Sequence, residues 1–215
     1  MQPRPPSDLP PPQRDNTAGL ILSGGQSRRM GGTDKAFTQL YGTSLIEHVR
    51  ARLKPQVSTL WLNPSSDDNR YQTMGAALIY DAPAFAGMGP MAGIHAGLCA
   101  SRDAGFDWLL VSPCDVPFLP ADLHSRLAQA AFRTRRSAYV ALSQGRTHYG
   151  CCLLDSGLVD AIGTQLESGE KRLGTWLQNL KALAVDFSDQ PQGFVNINSR
   201  HDLAIASQRG EEFLA

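Results

Sequence analysis

The chain lacks any long apolar run: across its 215 residues no hydrophobic stretch approaches membrane-spanning length, which excludes a protein built of transmembrane helices. It also lacks net charge, with Lys+Arg and Asp+Glu both at 20. A broad nucleic-acid surface needs a basic excess to displace counterions, so no nucleic-acid partner is expected. A small anionic ligand held at one local site remains compatible with neutrality. The four cysteines, Cys99, Cys114, Cys151 and Cys152, form no C-x-x-C, and none of the five histidines (48, 95, 124, 148 and 201) stands at zinc-finger spacing. Cys151 and Cys152 are adjacent and should point to opposite faces of a strand. All four are expected to be small buried residues in a reducing compartment. Trp61, Trp108 and Trp176 fall on separate segments, which fits core packing better than a row of base-stacking rings.

An export signal is lacking too. The opening MQPRPPSDLPPPQRDN has no apolar core of a signal peptide, and glycines follow Arg28-Arg29 where a twin-arginine signal would continue apolar. The expected location is the cytoplasm. Six of residues 1–12 are proline. Residues 1–16 are therefore expected to be a disordered, dispensable leader to one domain, 17–215.

What is present is an alternation. Apolar, strand-like segments occur at Ala18–Leu22, Thr59–Leu62, Ala77–Tyr80 and Trp108–Val111. Helical patterns occur at Ser44–Leu53, Met91–Ala100 and Pro120–Phe132. Ser44 and Glu47 have the spacing of a capping box. Further on, Ala138–Leu142 and Tyr149–Leu154 read as paired strands, 158–166 and 173–180 as helices, 182–185 and 193–197 as strands, and 202–207 as a last helix. This is the pattern of a mainly parallel sheet covered on both faces. Ligands of such sheets bind outside the carboxyl ends of the strands. Four polar features stand at those ends here: the loop after Leu22, Asn63, Asp81 and Asp115.

The loop LSGGQSRRMGGTDK (22–35) joins glycines to Arg28, Arg29 and Lys35. Glycine-rich backbone can turn its N–H groups onto phosphate oxygens while the cations neutralise the rest. It is not a P-loop, because G-x-x-x-x-G-K-[ST] does not fit. Gly87-Met-Gly-Pro-Met-Ala-Gly93 nearly reads as a dinucleotide fingerprint, but its last spacing is one residue too long. It is expected to be a close-approach loop, either a plain turn or a substrate contact. Asp115 suits Mg2+, which takes few protein oxygens plus substrate phosphates. It also suits a turn stiffened by Pro117 and Pro120. Asn196 and Asn198 share a face if extended, and either act together on phosphates or form an Asx turn before the last helix.

Taken together, LSGGQSRRMGGTDK, PCDVPFLP (113–120), SGEKR (168–172), VDFSD (185–189) and Asn196-Ile-Asn198 resemble the MobA family, molybdenum cofactor guanylyltransferases of the wider nucleotidyltransferase group. The resemblance spans Gly19 to about Ala206. It implies a Rossmann-like three-layer α/β sandwich of the nucleotidyltransferase fold. It implies GTP and molybdenum-molybdopterin as substrates. A monomer is expected, with proteins that deliver molybdopterin or chaperone molybdoenzymes as expected partners. By motif, Leu22, Ser23, Gly24, Gly25, Lys35, Asn63, Asp81 and Asp115 would contact GTP, with Asp115 on Mg2+. Arg29, Lys35, Asn196 and Asn198 would act on the phosphates beside Asp115. The chain departs from the family at Ser23, usually Ala, and at His148-Tyr-Gly150, often His-Pro-Thr. The latter segment is expected to face the pterin. A cytidylyltransferase acting on the same pterin, and a non-catalytic nucleotide or cofactor carrier, are the alternative readings.

Overall fold

The computed structural model describes residues 9–23, 34–64 and 66–208. Gly24, Gly25, Arg28 and Arg29 lie outside the described residues. Within these limits the chain runs β1 (Thr17–Leu22), β2 (Gln39–Leu40), β3 (Thr43–Ser44), α1 (Leu45–Leu53), β4 (Thr59–Asn63), α2 (Asn69–Gln72), β5 (Ala77–Leu78) and α3 (Pro90–Asp103). It continues through β6 (Trp108–Pro113), α4 (Leu123–Thr134), β7 (Ala138–Ser143), β8 (Arg146–Asp155), α5 (Val159–Glu167), α6 (Leu173–Asn179), β9 (Leu183–Asp186) and α7 (Arg200–Gln208).

Seven strands form one sheet in the order β5-β4-β1-β6-β8-β7-β9, and β2 and β3 form a separate small hairpin. All neighbours in the large sheet pair parallel except β8, which runs antiparallel to both β6 and β7. The chain leaves β1 to one side for β4 and β5, then returns through α3 to β6 on the other side. The order therefore reverses at β1, and the crevice outside the ends of β1 and β6 is the natural ligand site of such a sheet.

Strand periodicity divides the core into two layers. Ile21, Leu110, Tyr139 and Cys151 face Ile46 and Val49 of α1 and Leu123 and Leu127 of α4. Leu20, Leu109, Val140 and Cys152 face Ile94 of α3, Ile162 of α5 and Trp176 of α6. Cys151 and Cys152 thus point to opposite faces, as their adjacency requires. Burial pushes the thiols of Cys114, Cys151 and Cys152 well above their ordinary range. Cys99 departs from expectation in being only half-buried. The Ser44–Glu47 capping box forms, with the Glu47 carboxylate accepting from the Ser44 N–H at 3.1 Å.

Three expectations change. Residues 9–16 are not a free leader. Leu9 is buried in the α1/α4 layer and Pro12 is buried as well. The Pro10 carbonyl accepts the Trp108 indole N–H at 2.9 Å, and the Leu9 carbonyl accepts from Arg135 at 3.0 Å. An apolar side chain and a few well-placed carbonyls suffice to seat a proline-rich segment that composition alone marks as disordered. Second, 193–197 is not a strand. Pro191–Phe194 forms a 3-10 turn, and the Ile197 N–H goes to the Asp115 carbonyl rather than to a neighbouring strand. Pro191 cannot donate to a ladder, and Gly193 lies so close to Pro120 that a Cβ there would come within 2.7 Å of its ring. Third, the segment 143–148 is mostly strand. Gln144 and Gly145 both have positive φ, which makes a two-residue hairpin turn and lets β8 begin at Arg146.

A buried polar network lies beneath α4. The His124 ring nitrogen meets the Thr17 hydroxyl at 3.1 Å, the Thr17 hydroxyl donates to the Gln13 carbonyl at 2.6 Å, and the His124 N–H donates to Gln56 at 2.8 Å. Burial lowers the His124 imidazole to about 4. Between that value and the unfolded value near 6.5, the unfolded chain takes up a proton that the folded chain refuses, so stability rises with pH across this window. Going from neutral pH to about pH 4.5 should cost about 2.5 kcal/mol through this residue alone. Urea unfolding at the two pH values should show His124→Gln losing less by about that amount. An equal loss in both proteins would remove His124 as the source of the pH dependence.

Candidate active site

The end of β1 holds the site together through its backbone. The Leu22 carbonyl accepts from the Cys114 N–H at 2.9 Å, and the Ser23 N–H donates to the Asn63 carbonyl at 3.0 Å. These two bonds set the residue after β6 and the residue ending β4 on either side of the point where β1 ends. Around them the sequence-predicted residues fall into two groups.

The first group is Lys35, Asp115 and Asn198. The Lys35 ammonium lies 2.5 Å from Asp115 Oδ2 and also donates to Asn198 Oδ1. The Lys35 and Asp115 side chains are 15% and 14% exposed. Asp115 Oδ1 is buried and has no hydrogen-bond partner among the described residues. A buried carboxylate oxygen without a donor is costly unless a cation or a donor arrives. Its hardness and anionic charge suit Mg2+, and one carboxylate is enough where substrate phosphates and water complete the shell. Among the described residues no cluster of three or more His, Cys, Asp or Glu side chains stands ready for a metal. The fit is thus to a metal that arrives with phosphates.

The second group is Asn63 and Asp81. The Asn63 side-chain amide donates to the Ile79 carbonyl at 3.0 Å and to Asp81 Oδ1 at 2.9 Å. α3 begins beside them. A Cβ on Gly93 would lie 2.2 Å from Asn63 Oδ1 and 2.8 Å from Leu22 Cδ2. Of the glycine-rich stretch 87–93, only Gly93, already inside α3, makes the close approach expected of the loop, and it lets the helix lie against the site; Gly87 and Gly89 have positive φ with open space where a Cβ would stand, and serve as turn residues.

Two residues that sequence reasoning missed position Lys35. The Asp34 carboxylate accepts from the Ala36 N–H at 3.0 Å, capping the turn Lys35–Phe37, and from the Tyr71 hydroxyl at 2.8 Å. Tyr71 is fully buried and packs edge-on against Phe37 with centroids 4.8 Å apart. An Asp placed directly before a short turn was a legible signal for the cap. The tyrosine, 37 residues further on, gave none.

Asn196 and Asn198 flank the buried Ile197, and both line one cavity of about 500 Å3. The Asp202 carboxylate accepts from the Asn198 N–H at 2.9 Å. Asn196 lines a cavity of about 350 Å3 together with Leu22, Asp115, Arg146, His148 and Tyr149. A neighbouring cavity of about 500 Å3 shares Arg146, His148 and Asn196 and extends to Gln144 and Asp202. A bulge shapes the wall between them. Val140 pairs with Cys152 but Ala141 pairs with His148, which leaves Tyr149, Gly150 and Cys151 without partners on β7. Bulges of this kind re-aim side chains beside sites. His148 stacks on Phe194 with centroids 4.7 Å apart, and burial, then the nearby Arg146 charge, holds its imidazole below the ordinary value. His148-Tyr-Gly150 thus faces a cavity that opens onto Asp115.

A three-layer α/β sandwich with an ammonium, a largely buried carboxylate and paired amides at the switch point of its sheet has the architecture of a nucleotidyltransferase. The family model of the MobA-like NTP transferase domain matches residues 19–184, and the chain belongs to that family. It is 37% identical over 187 residues to the molybdenum cofactor guanylyltransferase of Pasteurella multocida, covering 86% of this chain and 96% of that protein. It is 37% identical over 198 residues to the protein of the same name from Cupriavidus taiwanensis, covering 88% and 96%. Among solved structures, molybdopterin-guanine dinucleotide biosynthesis protein A from Archaeoglobus fulgidus superposes with a TM-score of 0.73 at 22% identity, covering 89% of this chain and 97% of that one. The 2-C-methyl-D-erythritol 4-phosphate cytidylyltransferase from Thermus thermophilus superposes with a TM-score of 0.64 at 18% identity, covering 88% and 96%, a likeness of fold. No helix among the described residues is long and apolar enough to cross a membrane.

Proposed function

We propose that the protein transfers GMP from GTP to molybdenum-molybdopterin, forming the guanine dinucleotide cofactor and releasing pyrophosphate. The observation that carries this reading is Asp115, whose buried Oδ1, without a partner among the described residues, lies at the switch point beside Lys35, on a residue that lines the cavity under His148. The terminal phosphate of molybdopterin is already anionic near neutral pH, so attack on the α-phosphorus of GTP needs no general base. The bond from the α-phosphorus to the bridging oxygen breaks, and pyrophosphate leaves with that oxygen. Positioning and charge neutralisation are then the whole task. Mg2+ held by Asp115 would supply charge neutralisation at the phosphate oxygens. Lys35 stabilises the leaving pyrophosphate, and Asn196 and Asn198 offer amides to phosphate oxygens between the two cavities. Asn63, packed against Gly93, and Asp81, which accepts from the Asn63 amide, hold the nucleoside. The pterin lies along the wall made by Arg146, His148 and Tyr149, where the His148 imidazole stacked on Phe194 presents a flat surface.

The reading is tested by a nucleotide panel with molybdenum-molybdopterin, followed as pyrophosphate. GTP should support release and CTP should not. A preference for CTP would make the protein a cytidylyltransferase, and no release with any nucleotide would make it a carrier.

Ser23 supports a narrower expectation. Its Oγ is buried with no partner among the described residues, at the point where the glycine loop begins. An unsatisfied buried hydroxyl costs about 1–3 kcal/mol, and a bound nucleotide would relieve it. Ser23→Ala should therefore raise the melting temperature of the free protein and weaken GTP binding by about 1 kcal/mol. Calorimetric titration and a thermal scan check both. An unchanged GTP affinity would mean that the hydroxyl does not meet the nucleotide.

A further inference from the structure

The Lys35–Asp115 contact has a consequence for how the metal enters. Both partners are anchored from behind. Lys35 opens a turn capped by Asp34 and tied to Tyr71, while Asp115 is fixed by the Cys114–Leu22 and Ile197–Asp115 backbone bonds. The ammonium is directed at one carboxylate oxygen, Oδ2 at 2.5 Å, and Asn198 holds it there. The other oxygen, Oδ1, is buried and unpartnered among the described residues. A free divalent cation reaching Oδ1 would meet an ammonium on the same carboxylate, in surroundings where water screens poorly, and like charges repel strongly there.

We infer that Lys35 is a built-in counter-ion for Asp115 that keeps free divalent cations out and yields only to a triphosphate. This rests on the reading of Asp115 as the metal ligand. Phosphate oxygens give the three donors of the ammonium new anionic partners. Lys35 then turns from the carboxylate to the nucleotide, and Asp115 becomes available to a metal. Metal and nucleotide therefore enter as one unit, and a metal does not stay behind once the phosphates leave. Lys35 has two tasks in succession: neutralising Asp115 in the free protein and neutralising phosphate in the bound one.

The test is equilibrium binding of Mn2+ to the full chain, with and without GTP and in the absence of pterin, so that nothing turns over. The wild-type protein should bind Mn2+ weakly alone and much more tightly with GTP. Lys35→Met and Lys35→Gln should bind Mn2+ alone at least about tenfold more tightly than wild type, with a smaller further gain from GTP. Removing the ammonium leaves a buried unpaired carboxylate, which destabilises the fold. Mn2+ should therefore raise the melting temperature of both Lys35 variants and leave that of the wild type nearly unchanged. Lys35→Gln keeps a hydrogen-bonding head for Asn198 and Asp115 and secures the comparison if Lys35→Met does not fold. Suppose that both variants bind Mn2+ no better than wild type while Asp115→Asn abolishes the GTP-linked uptake. Asp115 is then the metal ligand and the counter-ion role of Lys35 is overturned. GTP-linked Mn2+ uptake that survives intact in Asp115→Asn would instead remove Asp115 as the ligand, and the counter-ion role falls with it.

Discussion

Asp115→Asn is expected to abolish most turnover while sparing the fold. Asparagine keeps the size of the side chain and one oxygen, but it removes the charge that a divalent metal needs. The Asp115 main chain keeps its bond from the Ile197 N–H, and its neighbour Cys114 keeps its bond to Leu22. The local backbone therefore does not depend on the carboxylate. Lys35 loses an ion pair whose two ends are both largely enclosed, so some stability goes with it. The expected pattern is a modest fall in melting temperature, GTP binding retained through Asn63, Asp81 and the loop after β1, and pyrophosphate release slowed at least about 100-fold. Raising Mg2+ should recover little of the rate. A variant that turns over GTP normally, at an unchanged Mg2+ requirement, would place the metal elsewhere and overturn the site as drawn.

The second large effect concerns stability. A chain starting at Thr17 loses Leu9 and Pro12 from their buried positions and the two carbonyls that serve Trp108 and Arg135. It also loses the Gln13 carbonyl that receives the Thr17 hydroxyl beside His124. Vacating a leucine site in a core costs about 2–5 kcal/mol. Part of that is offset because eight fewer described residues, 9–16, need ordering. A net loss of about 2–4 kcal/mol should lower the melting temperature by on the order of 5–10 °C. Leu9→Ala in the full chain should reproduce much of the loss. An unchanged melting temperature in the truncated chain would show that the segment lies on the domain without supporting it. Turnover at low temperature should be little affected, because the strap packs against the α1/α4 layer and the site opens from the ends of β1 and β6.

Much of this molecule is written locally. The capping box of α1, the apolar strands, the opposite facing of Cys151 and Cys152, and the placing of the end of β1, Asn63, Asp81 and Asp115 at one end of the sheet all follow from period, turn chemistry and the rule that such sheets bind at their carboxyl ends. Each of these depends on neighbours a few residues apart, or on a topology that alternation of strands and helices nearly dictates. What the residue types left open were contacts between distant segments. Proline content cannot reveal that Leu9 finds a seat beside α4, because burial depends on the shape of the receiving surface. A pattern of alternating residues in 193–197 cannot reveal that Pro191 and the approach of Pro120 to Gly193 turn the chain away from the sheet. The motifs singled out Lys35 and Asp115 separately, 80 residues apart. Only the folded chain sets the ammonium on one oxygen of the carboxylate and leaves the other without a partner among the described residues, because that geometry is fixed by Asp34, Tyr71 and Ile197 from three separate parts of the sequence.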